Sequence, residues 1–186
     1  VMDLFSKDDK LNLSSYYLKP GFAFGGSCLP KDLRAINNLA STLNIAVPVF
    51  NSISVSNDKH IERGLKAILD RNPENILFLG LTFKENTDDF RENPILKLID
   101  LLSPNYQIGL HDDLIDFRIF DDNNYTIFDS VKKALNWTDT IVVNNHKKYV
   151  DYIKNSDKQI IDLSNILPVN KNNIFKIVWN IFLIQI

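Results

Sequence analysis

The sequence predicts an α/β protein in which a helical segment precedes a doubly wound parallel sheet. Between residues 33 and 70, apolar residues recur at helical spacing, and from Asn75 onward short apolar runs alternate with helical stretches. Strands that are apolar throughout are typical of a parallel sheet whose two faces are both covered by helices. This pattern is therefore the main reason for the fold class that we expect.

The composition excludes several classes of function. Hydrophobic residues make up 45% of the 186 residues, and the net charge of −2 gives no electrostatic reason to expect nucleic acid or an anionic membrane as a partner. The longest apolar-rich stretch, 174–186, is shorter than the roughly 20 residues of a spanning helix, so we expect a terminal strand or an amphipathic helix there. A single cysteine and no secretory signal in the first ten residues predict a cytoplasmic protein.

Each half of the chain has its own predicted elements. In the first half, one helix carries Leu33 to Leu43 and can begin at Pro30, and a second helix spans about 50–70. In the second half, strands are predicted over 76–81, 106–111, 141–143 and 159–163, with helices over 94–102 and 130–136.

The surroundings of Cys28 suggest a reactive thiol. Cys28 follows Gly25 and Gly26 in a loop and precedes a helix start, where backbone N–H groups favour an anion. Lys31 and Arg34 add positive charge in the first turns, and all these effects favour a thiolate. The competing interpretation is a small buried hydrophobe, which is how most lone cysteines behave. Composition and spacing leave the two open.

A second polar segment, residues 80–94, follows the first predicted strand, at the edge where doubly wound sheets bind their ligands. Lys84 and Arg91 are candidates to point into that crevice. Thr87, Asp88 or Asn93 can cap the helix that starts near Pro94. The alternative is a solvated, well-capped loop without a ligand.

Two stretches resemble the UDP-glucose/GDP-mannose dehydrogenase family. The first is similar to the family's catalytic cysteine signature and reads Phe24-Gly25-Gly26-Ser27-Cys28-Leu29-Pro30-Lys31-Asp32. Residues 11–14 and 16–24 extend the match and are most similar to its GDP-mannose 6-dehydrogenase branch. The second stretch, 80–94, resembles the signature Gly-Leu-(Ser/Thr)-Phe-Lys…Thr-Asp-Asp…Arg-Glu-Ser-Pro, with Asn93 in place of the usual Ser.

The resemblance implies oxidation of a nucleotide sugar at C6, from alcohol to carboxylate, with two NAD consumed. Cys28 would be the covalent nucleophile, forming a thiohemiacetal and then a thioester, and Asp32 would assist the water or the oxyanion. Lys31 and Arg91 would contact NAD. Lys19 stands where Arg is usual, which keeps the charge but loses forked phosphate recognition. The residues implied to hold the nucleotide sugar are Tyr16, Tyr17, Lys19, Phe22, Gly25 and Lys84.

No G-x-G-x-x-G fingerprint occurs, so the resemblance implies the central and C-terminal portion of such an enzyme, inactive by itself. We expect residues 1–72 to form the catalytic-cysteine loop and a helical dimerisation segment. We expect residues 73–186 to form a Rossmann-like doubly wound parallel-sheet domain that binds the nucleotide sugar. A homodimer is expected, because relatives of the family use the helices as a subunit interface.

Three functions remain open. The favoured one converts GDP-mannose to GDP-mannuronate, and the second acts on UDP-glucose or a related UDP-sugar. The third, of another class, is a non-catalytic nucleotide-binding dimerisation module. No metal site is expected, since His60, His111 and His146 are scattered without partners at metal-ligand spacing, and we interpret them as surface or structural residues.

Overall fold

The computed structural model confirms the predicted α/β fold class. It describes residues 7–8, 10, 14, 21–82, 87, 89–117, 125–144, 146–168 and 171–177. Within these residues, a pair of helices precedes a six-stranded parallel sheet.

The helix pair lies close to where the apolar periodicity predicted it. Helix α1 spans Leu29–Thr42 and has Pro30 in its first turn, as expected for a residue whose fixed φ suits a helix start. Helix α2 spans Pro48–Leu69 and begins with Pro48, two residues before the predicted start. Val47 and Asp70 flank α2 as its N-cap and C-cap.

The sheet contains β1 (Asn75–Leu79), β2 (Gln107–His111), β3 (Tyr125–Ile127), β4 (Thr140–Val143), β5 (Gln159–Asp162) and β6 (Ile174–Lys176). All neighbouring strands pair in parallel, in the order β3-β2-β1-β4-β5-β6. This is the order of a doubly wound dinucleotide-binding sheet, in which the chain reverses its direction of winding between β1 and β4. The crevice at that switch point is where such sheets bind ligands.

Of the two edge strands, sequence patterning missed β3, whereas a terminal strand was one of the two alternatives expected where β6 lies. Each has three residues, and those residues are half-buried or exposed, so neither strand produces the continuous apolar run that marked β1, β2, β4 and β5. Strand β6 occupies the start of the apolar stretch for which a terminal strand or an amphipathic helix was expected.

Helices cover both faces of the sheet, because successive strand residues point to opposite sides. Ile76 and Phe78 pack with α2 and with α3 (Pro94–Leu102). Leu77 and Leu79 pack with α4 (Val131–Trp137) and with the short turn of Lys147–Tyr149 and α5 (Val150–Ile153). In the described part of the chain, no helix is both long enough and apolar enough to cross a bilayer.

Candidate active site

Cys28 is exposed at the N-terminus of α1, so the interpretation as a small buried hydrophobe is wrong. Its carbonyl accepts a hydrogen bond from Asp32 N at 2.9 Å, which starts the helix. The side chain does not cap the helix, and the sulfur lies 3.7 Å from Ser27 Oγ. A thiol in this position is accessible to a ligand while its backbone is held by the helix.

The charged residues that follow Cys28 are engaged with carboxylates. Lys31 Nζ lies 3.8 Å from Asp32 Oδ1, and both side chains are exposed. Arg34 donates two hydrogen bonds to Glu92, at 2.7 and 2.6 Å. These bonds hold the pKa of the Glu92 carboxyl below its ordinary value and raise the pKa of Arg34. Arg34 therefore ties α1 to the segment that precedes α3.

The glycines before Cys28 allow its loop to lie directly on that segment, residues 91–94. Gly26 adopts φ +87° and donates from its backbone N to Arg91 O at 3.0 Å. A Cβ on Gly25 would lie 2.7 Å from Pro94 Cδ and would also collide with the Glu92 carbonyl oxygen. Gly25, a predicted sugar-binding residue, thus has a packing reason to be glycine.

Helix α2 holds the other end of the loop. Asn57 accepts a hydrogen bond from Phe24 N at 2.9 Å and donates one to Phe24 O at 3.0 Å. The Phe22 ring packs edge-on against His60, at 5.7 Å between centroids, and a Cβ on Gly64 would lie 2.8 Å from its Cζ. Phe22, another predicted sugar-binding residue, is half-buried against this helix. Burial is the main cause of a lowered pKa at His60.

Segment 91–94 is in turn joined to the end of β1. The Asn93 side chain caps α3 by accepting from Ile95 N at 2.8 Å, and it also donates to Leu81 O. This confirms Asn93 among the three cap candidates. Arg91 is exposed and binds Asp89 through Nε and a terminal nitrogen, each at 3.0 Å. Cys28 and the carboxyl end of β1 therefore belong to one hydrogen-bonded assembly.

Buried polar groups fill the carboxyl ends of the central strands. We call Thr82, Asp112 and His146, which are 0%, 5% and 2% exposed, the strand-end cluster. Asp112 Oδ2 accepts from Leu81 N at 2.8 Å, and Thr82 Oγ1 shares a hydrogen bond of 2.9 Å with His146 Nε2. Sequence reasoning missed this cluster, although each member directly follows a strand or lies within three residues of one.

His111 and His146 are buried, so of the two interpretations of the histidines, surface or structural, these two residues fit the structural one. His111 is 3% exposed, and its Nδ1 lies 2.8 Å from Phe128 O. Beside it, Lys148 donates to Asp113 at 3.0 Å and holds the pKa of that carboxyl below its usual value. Within the described residues, no group of three or more His, Cys, Asp or Glu side chains is arranged to hold a metal ion.

The turn after β1 does not fit the pyrophosphate of a dinucleotide. Dinucleotide-binding turns keep an open glycine there, so that a phosphate can approach the backbone. Here Gly80, at φ +81°, faces the His146 ring, which a Cβ would meet within 2.9 Å, and Leu81 is fully buried. Lys31 and Arg91 are exposed cations on the two segments that meet at Gly26, and they do suit phosphate groups of a bound cofactor.

Several predicted site residues lie outside the described residues. These are Tyr16, Tyr17, Lys19 and Lys84. Three of the others lie at the start of α1, namely Cys28, Lys31 and Asp32. Arg91 lies on the neighbouring segment, where its backbone carbonyl accepts the hydrogen bond from Gly26.

Two family models match the chain. The central domain of the UDP-glucose/GDP-mannose dehydrogenase family matches residues 1–59, and the UDP binding domain of the same family matches residues 77–169. The second match alone covers half of the chain, and the two follow each other in the chain.

Individual relatives agree with the family models. The GDP-mannose 6-dehydrogenase of Pseudomonas aeruginosa is 33% identical over 90% of this chain and 42% of its own length. The UDP-glucose 6-dehydrogenase of Rickettsia typhi is 31% identical over 81% of this chain and 38% of its own length. The crystal structure of a ternary complex of the Pseudomonas aeruginosa GDP-mannose dehydrogenase superposes with a TM-score of 0.80 and 30% identity, over 96% of this chain and 45% of that one. The chain thus spans less than half the length of each relative.

Proposed function

We propose, from the premise that this chain belongs to the UDP-glucose/GDP-mannose dehydrogenase family, that it supplies the catalytic cysteine of an NAD-dependent nucleotide-sugar 6-dehydrogenase. The observation that carries the proposal is the exposed Cys28 at the start of α1, on a loop that contacts the segment joined to the end of β1. In this proposal, residues 1–72 form the cysteine and dimerisation part, and residues 73–186 form the nucleotide-sugar domain.

The chemistry proposed for Cys28 is covalent. Its thiolate adds to the C6 aldehyde of the sugar, forming a C–S bond in a thiohemiacetal. Oxidation of that adduct gives a thioester, and water then breaks the C–S bond to release the carboxylic acid and the thiol. Asp32, one helical turn after Cys28, is proposed to orient the water or assist the oxyanion.

NAD is the proposed cofactor, and its chemistry when bound is to accept a hydride in each of the two oxidations. In this chain, Lys31 and Arg91 are the residues proposed to contact it, since both are exposed cations next to the cysteine loop. The turn after β1 is filled where Gly80 meets the His146 ring, and this argues against the pyrophosphate of NAD lying at the end of β1.

The proposal is tested with Cys28→Ala in the complete protein as its gene encodes it. We expect kcat for NADH formation to fall by at least about 10³-fold, since the covalent intermediate is lost, while binding of the nucleotide sugar by calorimetry persists. Ser41→Ala, at an exposed position near the end of the same helix, is the matched control. Unchanged turnover in Cys28→Ala would remove the enzymatic role of this residue.

GDP-mannose is the proposed substrate, with GDP-mannuronate as product. Support comes from the GDP-mannose 6-dehydrogenase of Pseudomonas aeruginosa, which aligns over more of this chain than the UDP-glucose enzyme of Rickettsia typhi. The alternative is UDP-glucose or a related UDP-sugar. Comparing kcat/KM for the two substrates decides between them, and an equal or reversed preference would contradict the GDP-mannose proposal.

The helix pair is proposed to form a homodimer interface. Its exposed surface carries large apolar side chains that a solvated helix does not require, including Leu39 at 59% exposure and Val49 at 70%. This surface is also the observation that favours the second candidate function, a non-catalytic dimerisation module. Light scattering at micromolar concentration tests the interface, with Leu39→Asp expected to give monomers and Leu101→Asp on α3 as control.

A further inference from the structure

We infer that Asn57 is a positioning residue for the nucleophile, an inference that rests on the proposed role of Cys28. Asn57 lies inside α2, and its carboxamide binds both polar groups of one residue in the cysteine loop. Its Oδ1 accepts from Phe24 N at 2.9 Å and its Nδ2 donates to Phe24 O at 3.0 Å. The two residues are 33 positions apart in the sequence, so this clamp joins the loop to a rigid helix.

The clamp matters because, among the described residues, few hydrogen bonds reach the backbone of the loop. Residues 21–28 form no helix or strand, so their N–H and C=O groups need other partners where they are shielded from water. Phe24 is half-buried, and Asn57 satisfies its donor and its acceptor at once. A carboxamide offers a donor and an acceptor on two neighbouring atoms without a charge, whereas a hydroxyl carries both on one oxygen and a carboxylate only accepts.

Among the described residues, other hydrogen bonds of the loop region are made by backbone atoms or by an exposed ion pair. Gly26 binds Arg91 through backbone atoms alone. The Arg34–Glu92 pair is 60% and 43% exposed, and exposed ion pairs are weakened by solvent and by salt. Asn57 is therefore the side chain on which the path of the backbone from Phe24 to Cys28 depends most.

The space around the clamp gives the loop room to shift when the clamp is removed. A cavity of about 160 Å³ lies beside it and is lined by Phe24, Asn57, Arg34 and Glu92, among others. Phe24 is four residues before Cys28, with Gly26 in the left-handed region between them. Only three residues, 25–27, separate Phe24 from Cys28, so a displacement at Phe24 is expected to change the position of the sulfur.

The experiment compares Asn57→Ala and Asn57→Asp with the parent in the complete protein. Asn57→Asp keeps the shape and one acceptor but places a carboxylate oxygen against Phe24 O. We expect kcat to fall about 10- to 100-fold in both variants, with KM for the nucleotide sugar within about threefold of the parent, because misplacing the nucleophile affects the chemical step. Amide hydrogen exchange of the peptide containing residues 21–28 should become faster. Asn136→Ala, the same change at an exposed position on α4, is the control.

The outcomes separate this inference from the proposed function. If Cys28→Ala is inactive while both Asn57 variants, corrected for the folded fraction, keep the parent kcat, Asn57 has no positioning role. A rise in KM at constant kcat would also overturn it, since it would make Asn57 part of substrate binding. If Cys28→Ala keeps full turnover, the proposed function itself fails, whatever the Asn57 variants do. Loss of kcat with faster exchange in residues 21–28, and not elsewhere, supports the inference.

Discussion

The sheet region and the cysteine region of this chain are stabilised in different ways. In residues 75–177, the central strands are buried on both faces, and the strand-end cluster pairs the polar groups at their carboxyl ends. In residues 21–69, α1 and α2 carry exposed apolar side chains, and the loop before α1 depends on a few hydrogen bonds to other elements. The sheet region thus supplies most of the core, which α2 shares, whereas the cysteine loop takes its shape from its neighbours.

Because of this difference, a substitution in one region should change the stability of the protein more, and a substitution in the other should change its activity more. A buried structure loses free energy of unfolding when a contact is broken, because nothing replaces the contact. A half-buried loop loses less stability, since water replaces some of its partners, but its geometry changes. Substitutions of equal size should therefore lower mainly the free energy of unfolding in the sheet region and mainly kcat in the cysteine region.

The largest expected effect on stability is that of Gly80→Ala in the sheet region. Gly80 has φ +81°, and an added Cβ would collide with the buried His146 ring that bonds Thr82. We expect a loss of about 3–5 kcal/mol in the free energy of unfolding, from backbone strain and overpacking together. Urea unfolding measures it. A loss below about 1 kcal/mol would show that the strand-end cluster adjusts easily.

Gly25→Ala is the counterpart in the cysteine region. Its Cβ would lie 2.7 Å from Pro94 Cδ and would push the loop away from segment 91–94, although no left-handed backbone is involved. We expect kcat to fall about 10- to 100-fold through misplacement of Cys28, with the urea midpoint nearly unchanged. Equal losses of stability in Gly25→Ala and Gly80→Ala would contradict the comparison.

The smallest effect is expected for Glu92→Gln, which removes the ion pair between the two regions. Because Arg34 lowers the pKa of Glu92 in the folded protein, the pair contributes stability above the unfolded pKa of about 4.3, and this contribution is lost as pH falls through the lowered folded pKa. The variant should therefore be slightly less stable than the parent at pH 7 and equal to it in strong acid. Urea midpoints measured across this pH range, at low and high salt, check the sign, and a difference that grows as pH falls would be contrary to it.

Local sequence was enough to predict those features whose causes lie within a few residues. Helix α3 has the predicted limits because Asn93 and Pro94 are a cap and a first-turn residue in direct succession. The glycines and the helix start around Cys28 pointed to an accessible thiol, but the structure decided against a small buried hydrophobe. Strand β3 was not predicted, because its three partly exposed residues do not form a recognisable pattern.

The sequence by itself determined the alternation of strands and helices, the position of the candidate nucleophile Cys28 and the family signatures around it. Only the tertiary structure decided that Asn57 binds Phe24, that Asp112 binds Leu81 and that His146 lies against Gly80 and Thr82. The physical reason is separation along the chain, since these partners are 31 to 66 residues apart. Their contacts arise when the parallel strands bring their carboxyl ends to one edge and α2 packs beside the cysteine loop.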